Sequence, residues 1–111
     1  MGMIDPNKIY LELVTTGEKW AEAQFLANQL DDATKPLLAK LTLDAMPRAG
    51  SVSAAEKTAL ASQPYREHVK ATNEAKRDML IAKIKYNATE RLCDLRRTQE
   101  SSHRAAMSSA T

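Results

Sequence analysis

The longest regular pattern in this chain is a line of residues spaced alternately four and three positions apart. It contains Ile9, Leu13, Thr16, Trp20, Ala23, Ala27, Leu30, Thr34, Leu37 and Leu41. All of them are apolar except the two threonines, and such spacing is typical of a helix that buries one seam against another helix. We call this line the first seam. It predicts a helix over about residues 6–46, in which Asp5 is the N-cap and Pro6 occupies the first helical position.

A second seam with the same spacing occupies the C-terminal half of the chain. It contains Tyr65, His68, Thr72, Ala75, Met79, Ala82, Tyr86, Thr89 and Cys93. Large and small residues alternate along it, as close packing between helices requires. The second seam predicts a helix over about residues 64–103, followed by a frayed tail at 104–111.

The segment between the two seams contains the strongest helix breakers. Residues 47–53, PRAGSVS, combine proline, glycine and serine and should end the first long helix. Ser53 and Glu56 have the spacing of a capping box, which predicts a short connecting helix over about residues 54–61.

Two long seamed helices and a short connector predict an all-α fold. We expect a long antiparallel helical hairpin, coiled-coil-like, in a single helical domain covering residues 1–111, with protomers forming an intersubunit helical bundle. The composition agrees, because only three residues are glycine and the charged and aliphatic residues are typical of long helices.

Each long helix carries a second apolar line on the side away from its seam. The first consists of Leu11, Val14, Ala21 and Phe25, with Glu18 interrupting it, and the second consists of Ile81, Ile84, Ala88, Leu92 and Leu95. Contiguous exposed apolar surface usually marks a partner site, so we expect a homo-oligomer, most simply a dimer. The expected interface residues are Leu11, Val14, Phe25, Ile81, Ile84, Leu92 and Leu95. The alternative is that the short helix or a bend of the chain covers these lines within one protomer.

The basic residues lie mainly in the second half of the chain. Residues 1–63 carry six Lys or Arg against eight Asp or Glu, whereas residues 64–111 carry ten against six. The densest group is Arg91, Arg96, Arg97 and Arg104, which could contact single- or double-stranded DNA through its phosphates. The alternative is a solvated helix face, on which Glu100 pairs with Arg96 and Arg104 at helical spacing.

No catalytic, cofactor or metal motif is recognisable. Cys93 lies on the second seam, and His68 is too far along the same helix to activate it. Histidine and cysteine lack metal-ligand spacing. We therefore expect a protein that is not an enzyme and has no cofactor. A single cysteine and the lack of a long apolar run lead us to expect a cytoplasmic location, without membrane contact.

Several stretches resemble a group of small uncharacterised helical proteins encoded in bacteriophages and prophages. They are YLELVTTGEKWAEAQ, KPLLAKLTLDAM, GSVSAAEKTALASQPYREHVKATNEAKRD and KIKYNATERLCDLRRTQESSHRAAM. The resemblance is anchored by the small-residue connector followed by Tyr65-Arg66-Glu67-His68, and by Tyr86 with Leu95-Arg96-Arg97-Thr98.

Members of that group occur near phage recombination genes, those for single-strand annealing proteins and exonucleases. The resemblance therefore implies an accessory role in phage DNA recombination or processing, through contact with a phage or host protein or with DNA. Two alternatives stay open: a structural or assembly protein of the phage particle, and an inhibitor of a host nuclease.

Overall fold

The computed structural model describes residues 5–110, and all regular structure in this range is α-helical. The helices are α1 (Pro6–Asp32), α2 (Thr34–Ala49), α3 (Val52–Leu60) and α4 (Gln63–Ala110). They form two compact units, which are residues 5–21 with 80–110 and residues 22–79. Both α1 and α4 contribute residues to each unit.

In the first unit, α1 and α4 pack antiparallel around two aromatic rings. The Trp20 and Tyr86 ring centroids are 5.3 Å apart, and Lys83 Nζ lies 5.9 Å from the Trp20 centroid. Gly17 lies beside Tyr86. Gly17 comes one turn before Trp20 on α1, whereas Tyr86 comes one turn after Lys83 on α4. Residue numbers therefore increase along α1 in the direction in which they decrease along α4, so the two helices are antiparallel, as a hairpin requires.

In the second unit, the same antiparallel arrangement joins α1 and α2 to the first part of α4. Lys76 Nζ lies 3.1 Å from Asp31 Oδ1, and Thr34 Oγ1 lies 2.9 Å from His68 Nε2. Helix α3 packs against α2. The predicted all-α helical hairpin is therefore confirmed, whereas the single domain and the intersubunit bundle stay predictions.

Both seams are the contact faces of their helices. Every seam residue is buried or half-buried, and the most buried are Ile9, Ala27, Thr72, Ala75 and Thr89. The buried threonines satisfy their own hydroxyls, since Thr72 and Thr89 donate to the carbonyls four residues earlier at 2.8 and 3.0 Å. Small side chains thus allow the helices to approach closely without unpaired hydroxyls.

The predicted helix over residues 6–46 is in fact two helices that meet at Ala33. Pro36 has no N–H to donate to the Asp32 carbonyl, and its ring crowds that oxygen, so the helix is interrupted one turn earlier. The neighbouring hydrogen bonds from Ala33 to Gln29 and from Leu37 to Ala33 remain, which limits the interruption to one residue. The seam continues through it, as expected.

The ends of the connecting helices differ from the predicted ones by a few residues. Helix α2 continues past Pro47 and ends at Ala49, because Gly50 takes the left-handed conformation with φ 78°. The predicted capping box at Ser53 is wrong: Ser51 is the N-cap of α3, and its Oγ accepts from the Ala54 N–H at 3.2 Å. Ser62 caps α4 similarly, accepting from the Tyr65 N–H at 3.4 Å.

The predicted frayed tail is helical as far as the structure describes it. Helix α4 runs to Ala110, about two turns beyond the expected end, and Thr111 lies outside the described residues. Alanine favours the helix here. Glu100 pairs with Arg104, and Ser109 donates to the Ala105 carbonyl at 3.0 Å. Local helical interactions therefore sustain this segment, although its residues 101–109 are exposed.

Two glycine substitutions should change stability in opposite directions. A Cβ on Gly17 would meet Tyr86 Cε2 at 3.4 Å, an ordinary contact. Gly17→Ala should therefore raise the free energy of unfolding by about 0.5–1 kcal/mol. Gly50→Ala should lower it by about 1–2 kcal/mol, because φ 78° is strained for alanine. Urea unfolding followed by circular dichroism measures both, and a loss of stability in Gly17→Ala would contradict the first.

Candidate interaction surfaces

The second apolar line of α4 faces away from the seam. We call it the α4 stripe, and it consists of Ile81, Ile84, Ala88, Leu92 and Leu95. If the seam positions of the heptad are a and d, then Ile81, Ala88 and Leu95 are at c and Ile84 is at f, on the outer side of the helix. Leu92 is at g, beside the seam, and is the least exposed of the large stripe residues. The whole stripe belongs to the first unit.

The corresponding line of α1 in the first unit is the α1 stripe, which consists of Leu11, Val14, Glu18 and Ala21. These residues occupy heptad positions b and f, again on the side opposite the seam. Phe25 is a further exposed residue of α1, and it belongs to the second unit.

The structure leaves the predicted interface residues in solvent. Leu11, Val14, Phe25, Ile81, Ile84, Leu92 and Leu95 have exposed fractions between 40% and 66%. Within the first unit, no described segment buries the six of them that belong to it, and coverage by the short helix or by a bend of the chain stays a prediction. Their contact with another protomer stays a prediction.

Charged side chains accompany each stripe. Lys85 and Arg91 lie three residues before and after Ala88, at the two margins of the α4 stripe, and Glu18 lies within the α1 stripe. All three are exposed. Within the described part of the chain no ion pair involves any of them. Elsewhere on α4, ion pairs join residues three or four positions apart. Their charges are therefore available to a partner.

The four predicted nucleic-acid arginines have different environments. Arg91 is exposed. Arg97 and Arg104 are each 78% exposed, and their guanidinium nitrogens lie 3.5 Å from Asp94 and 3.8 Å from Glu100. These distances place a carboxylate beside two of the four arginines, which weakens their attraction for phosphate. The pairing with Glu100 at helical spacing agrees with the alternative of a solvated, internally neutralised face.

Arg96 differs from the other three because it extends the second seam. Its side chain is only 15% exposed, and Nη1 lies 3.0 Å from Glu100 Oε1. That contact lacks hydrogen-bond geometry, so Nε and Nη1 of Arg96 have no hydrogen-bond partner among the described residues. The buried Oε1 of the neighbouring Gln99 has none in this range either. Arg96 is thus a packing residue and a poor phosphate ligand. The signal for this was in the sequence, since Arg96 follows Cys93 at seam spacing.

A polar layer crosses the seam in the second unit. His68 Nε2 lies 2.9 Å from Oγ1 of Thr34, on the facing helix α2, and 3.4 Å from Oγ1 of Thr72, one turn later on α4. Polar groups at seam positions fix the register of paired helices, because a shifted pairing would leave them unsatisfied. His68 is therefore engaged in packing, and Cys93 is half-buried on the seam of the other unit.

An open groove between α2 and α3 is a surface that the sequence patterns did not indicate. It has a volume of ≈ 500 Å³ and is lined in part by Leu43 and Leu60, both exposed. Leu43 has 71% of its surface exposed, the largest fraction among the large apolar side chains described. Its lining also includes the polar side chains of Lys35, Thr42 and Glu56.

The described helices offer neither a metal cluster nor a membrane span. Between residues 5 and 110, no three His, Cys, Asp or Glu side chains are grouped so that they could hold a metal ion. None of the helices in this range has an apolar stretch long enough to cross a bilayer.

Replacing Arg96 should test its structural role. Arg96→Met keeps the aliphatic part of the side chain and removes the unsatisfied guanidinium, while Glu100 remains partly solvated. Because such replacements are often neutral or stabilising, the free energy of unfolding should stay constant or rise by about 1 kcal/mol. Arg97→Met, at an exposed position, is the control and should change it by less than about 0.5 kcal/mol. Urea unfolding of both variants is the measurement; a loss above 1 kcal/mol in Arg96→Met would identify a stabilising ion pair.

Comparison with known proteins gives this chain no relative from which a function could be transferred. No protein-family model, no curated protein and no solved structure matches it. The resemblance to phage-encoded helical proteins therefore stays a prediction from the sequence, and the geometry of the two stripes is the main guide to function.

Proposed function

We propose that this protein is not an enzyme and acts through protein–protein contacts, with further copies of itself as the first partner. The observation that carries the proposal is the exposure of two apolar stripes on the outer sides of the helices. In the first unit, α1 and α4 already bury their seams against each other, so the stripes have no role in closing the hairpin.

The energetic reason is the size of the exposed side chains. Burial of one leucine or isoleucine contributes about 1.5–3 kcal/mol relative to full exposure. The α4 stripe alone has four such residues, each at least 40% exposed. A contact that buries even half of this surface offsets much of the entropy lost on association.

The biological setting that we propose is an accessory role in phage DNA recombination or processing, in the bacterial cytoplasm. It is supported by the resemblance to phage-encoded helical proteins. In this setting a phage or host protein would be the second partner, and a surface left open after self-association would receive it. A role in assembly of the phage particle would use the same surfaces.

Contact with nucleic acid is a second candidate, favoured by the unpaired exposed cations Lys85 and Arg91. Neither has an ion-pair partner in the part of the chain that the structure describes, so each could bind a backbone phosphate. Arg97 could add a third contact if phosphate displaces Asp94. Arg96 has no part in this version of the proposal.

Self-association should depend on the α4 stripe. Ile84→Ser combined with Leu92→Ser removes apolar area without changing the seam, so the protein should stay helical and become monomeric. Leu43→Ser is the control, because it removes an exposed leucine from the groove of the second unit. Sedimentation equilibrium over a range of concentrations gives the masses, and circular dichroism gives the helix content.

Two results would contradict the proposal. A wild-type protein that is monomeric at all concentrations would remove self-association. Loss of association in Leu43→Ser, but not in the stripe variant, would move the contact to the groove between α2 and α3.

If the protein binds nucleic acid, its affinity for DNA should depend on salt, and Arg91 should contribute to it whereas Arg96 should not. Binding to short single- and double-stranded DNA should fall steeply with salt, and Arg91→Ala should reduce the salt slope by about one. Arg96→Ala is the control and should leave affinity unchanged. Fluorescence anisotropy at several salt concentrations tests this, and the absence of binding at low salt would exclude direct DNA contact.

A further inference from the structure

The two stripes of the first unit lie on opposite sides of the helix pair. The α1 stripe is displaced about 150° around its helix from the seam and the α4 stripe about 130°, and the seams of α1 and α4 face each other. The α1 stripe therefore points away from α4, and the α4 stripe points away from α1. One protomer cannot bring both stripes against the same flat face of a single partner.

The stripes also differ in charge. The α1 stripe contains a carboxylate, Glu18, whereas the α4 stripe is flanked by the cations Lys85 and Arg91. An α1–α1 contact would bury two carboxylates without a cation, and an α4–α4 contact would bring four cations together. A contact between unlike stripes avoids both costs.

We propose that copies of this chain associate head to tail, with the α1 stripe of one protomer against the α4 stripe of the next. This rests on the proposed self-association and specifies its geometry. When Glu18 is opposite Ala88, the small side chain leaves room for the carboxylate, and Lys85 and Arg91 lie on its two sides.

The same register matches the apolar residues on either side of Glu18. The α1 stripe extends about 15 Å and the α4 stripe about 21 Å along their helices, so the shorter stripe fits within the longer one. With the two helices antiparallel, Val14 is opposite Leu92, and Leu11 is opposite Leu95. Ala21 is then opposite Lys85 and next to Ile84, and its small side chain leaves room for both.

This contact is heterologous, since it uses two different surfaces of the same chain. Each protomer that engages its α1 stripe still presents an α4 stripe, so growth continues until a ring closes or a filament forms. A twofold dimer in a four-helix bundle, the simplest expectation from the sequence, would instead use one surface twice.

Two blocked variants distinguish these assemblies. Leu11→Asp with Val14→Asp blocks the α1 stripe, and Ile84→Asp with Leu95→Asp blocks the α4 stripe. All four positions are exposed, so both proteins should stay helical by circular dichroism. Each variant alone should be monomeric, and an equimolar mixture should form a one-to-one heterodimer and nothing larger, whereas the wild type should exceed a dimer. Multi-angle light scattering measures the masses.

The possible outcomes separate this inference from the proposed function. If either variant dimerises alone, the contact is between like stripes and the head-to-tail geometry is wrong, although self-association stands. If the mixture stays monomeric while the wild type associates, the contact does not join the α1 stripe to the α4 stripe, and the inference is again wrong. A monomeric wild type would overturn both.

Charge reversal tests the position of Glu18 without adding a charge to apolar positions. Glu18→Arg should weaken the association of the wild-type chain at least about tenfold, because it faces two cations. Adding Lys85→Glu and Arg91→Glu to the same chain should restore it to within about threefold. Glu22→Arg, outside the α1 stripe of the first unit, is the control. If Glu18→Arg has no effect, or if the reversed partners fail to restore association, Glu18 does not contact these cations.

Discussion

Close packing between two heptad seams is the interaction on which the rest of this structure depends. Large and small side chains share the two seams, and most of their most buried members are small, such as Ala27, Ala75 and Thr89. Each such contact contributes little, so stability accumulates along the length of the helices. The Trp20–Tyr86 pair is the main exception, and the Tyr86 ring also lies beside Gly17.

The sequence predicted both seams well, because a heptad pattern is repeated many times and stays recognisable when single positions are irregular. It predicted the helix ends less well, since each end depends on competition between near-equivalent residues. Ser51 and Ser53 both suit an N-cap, and the left-handed Gly50 decides in favour of Ser51. Arg96 shows another limit: its charge indicated a surface residue, whereas its seam position leaves only 15% of its side chain exposed.

The candidate interface shows what periodicity can and cannot establish. It identified the outer apolar lines on α1 and α4, and their large apolar side chains in the first unit are exposed by 40% or more. It placed Phe25 on the same line as Leu11, whereas the two residues belong to different compact units. Periodicity also could not establish the relation between the lines, because the direction of each depends on the pairing of the seams.

The pairing in the first unit has a consequence for assembly. Gly17 lies beside Tyr86 and Trp20 beside Lys83, so residues 11–21 of α1 run alongside the part of α4 that carries the α4 stripe. The two stripes therefore overlap along the helix axis, one on each side of the pair. A protomer that adds through its α1 stripe presents its own α4 stripe at nearly the same height. In the proposed head-to-tail assembly the exposed surface is thereby regenerated at every step, so the seam that closes the hairpin would also make the contact between protomers repeatable.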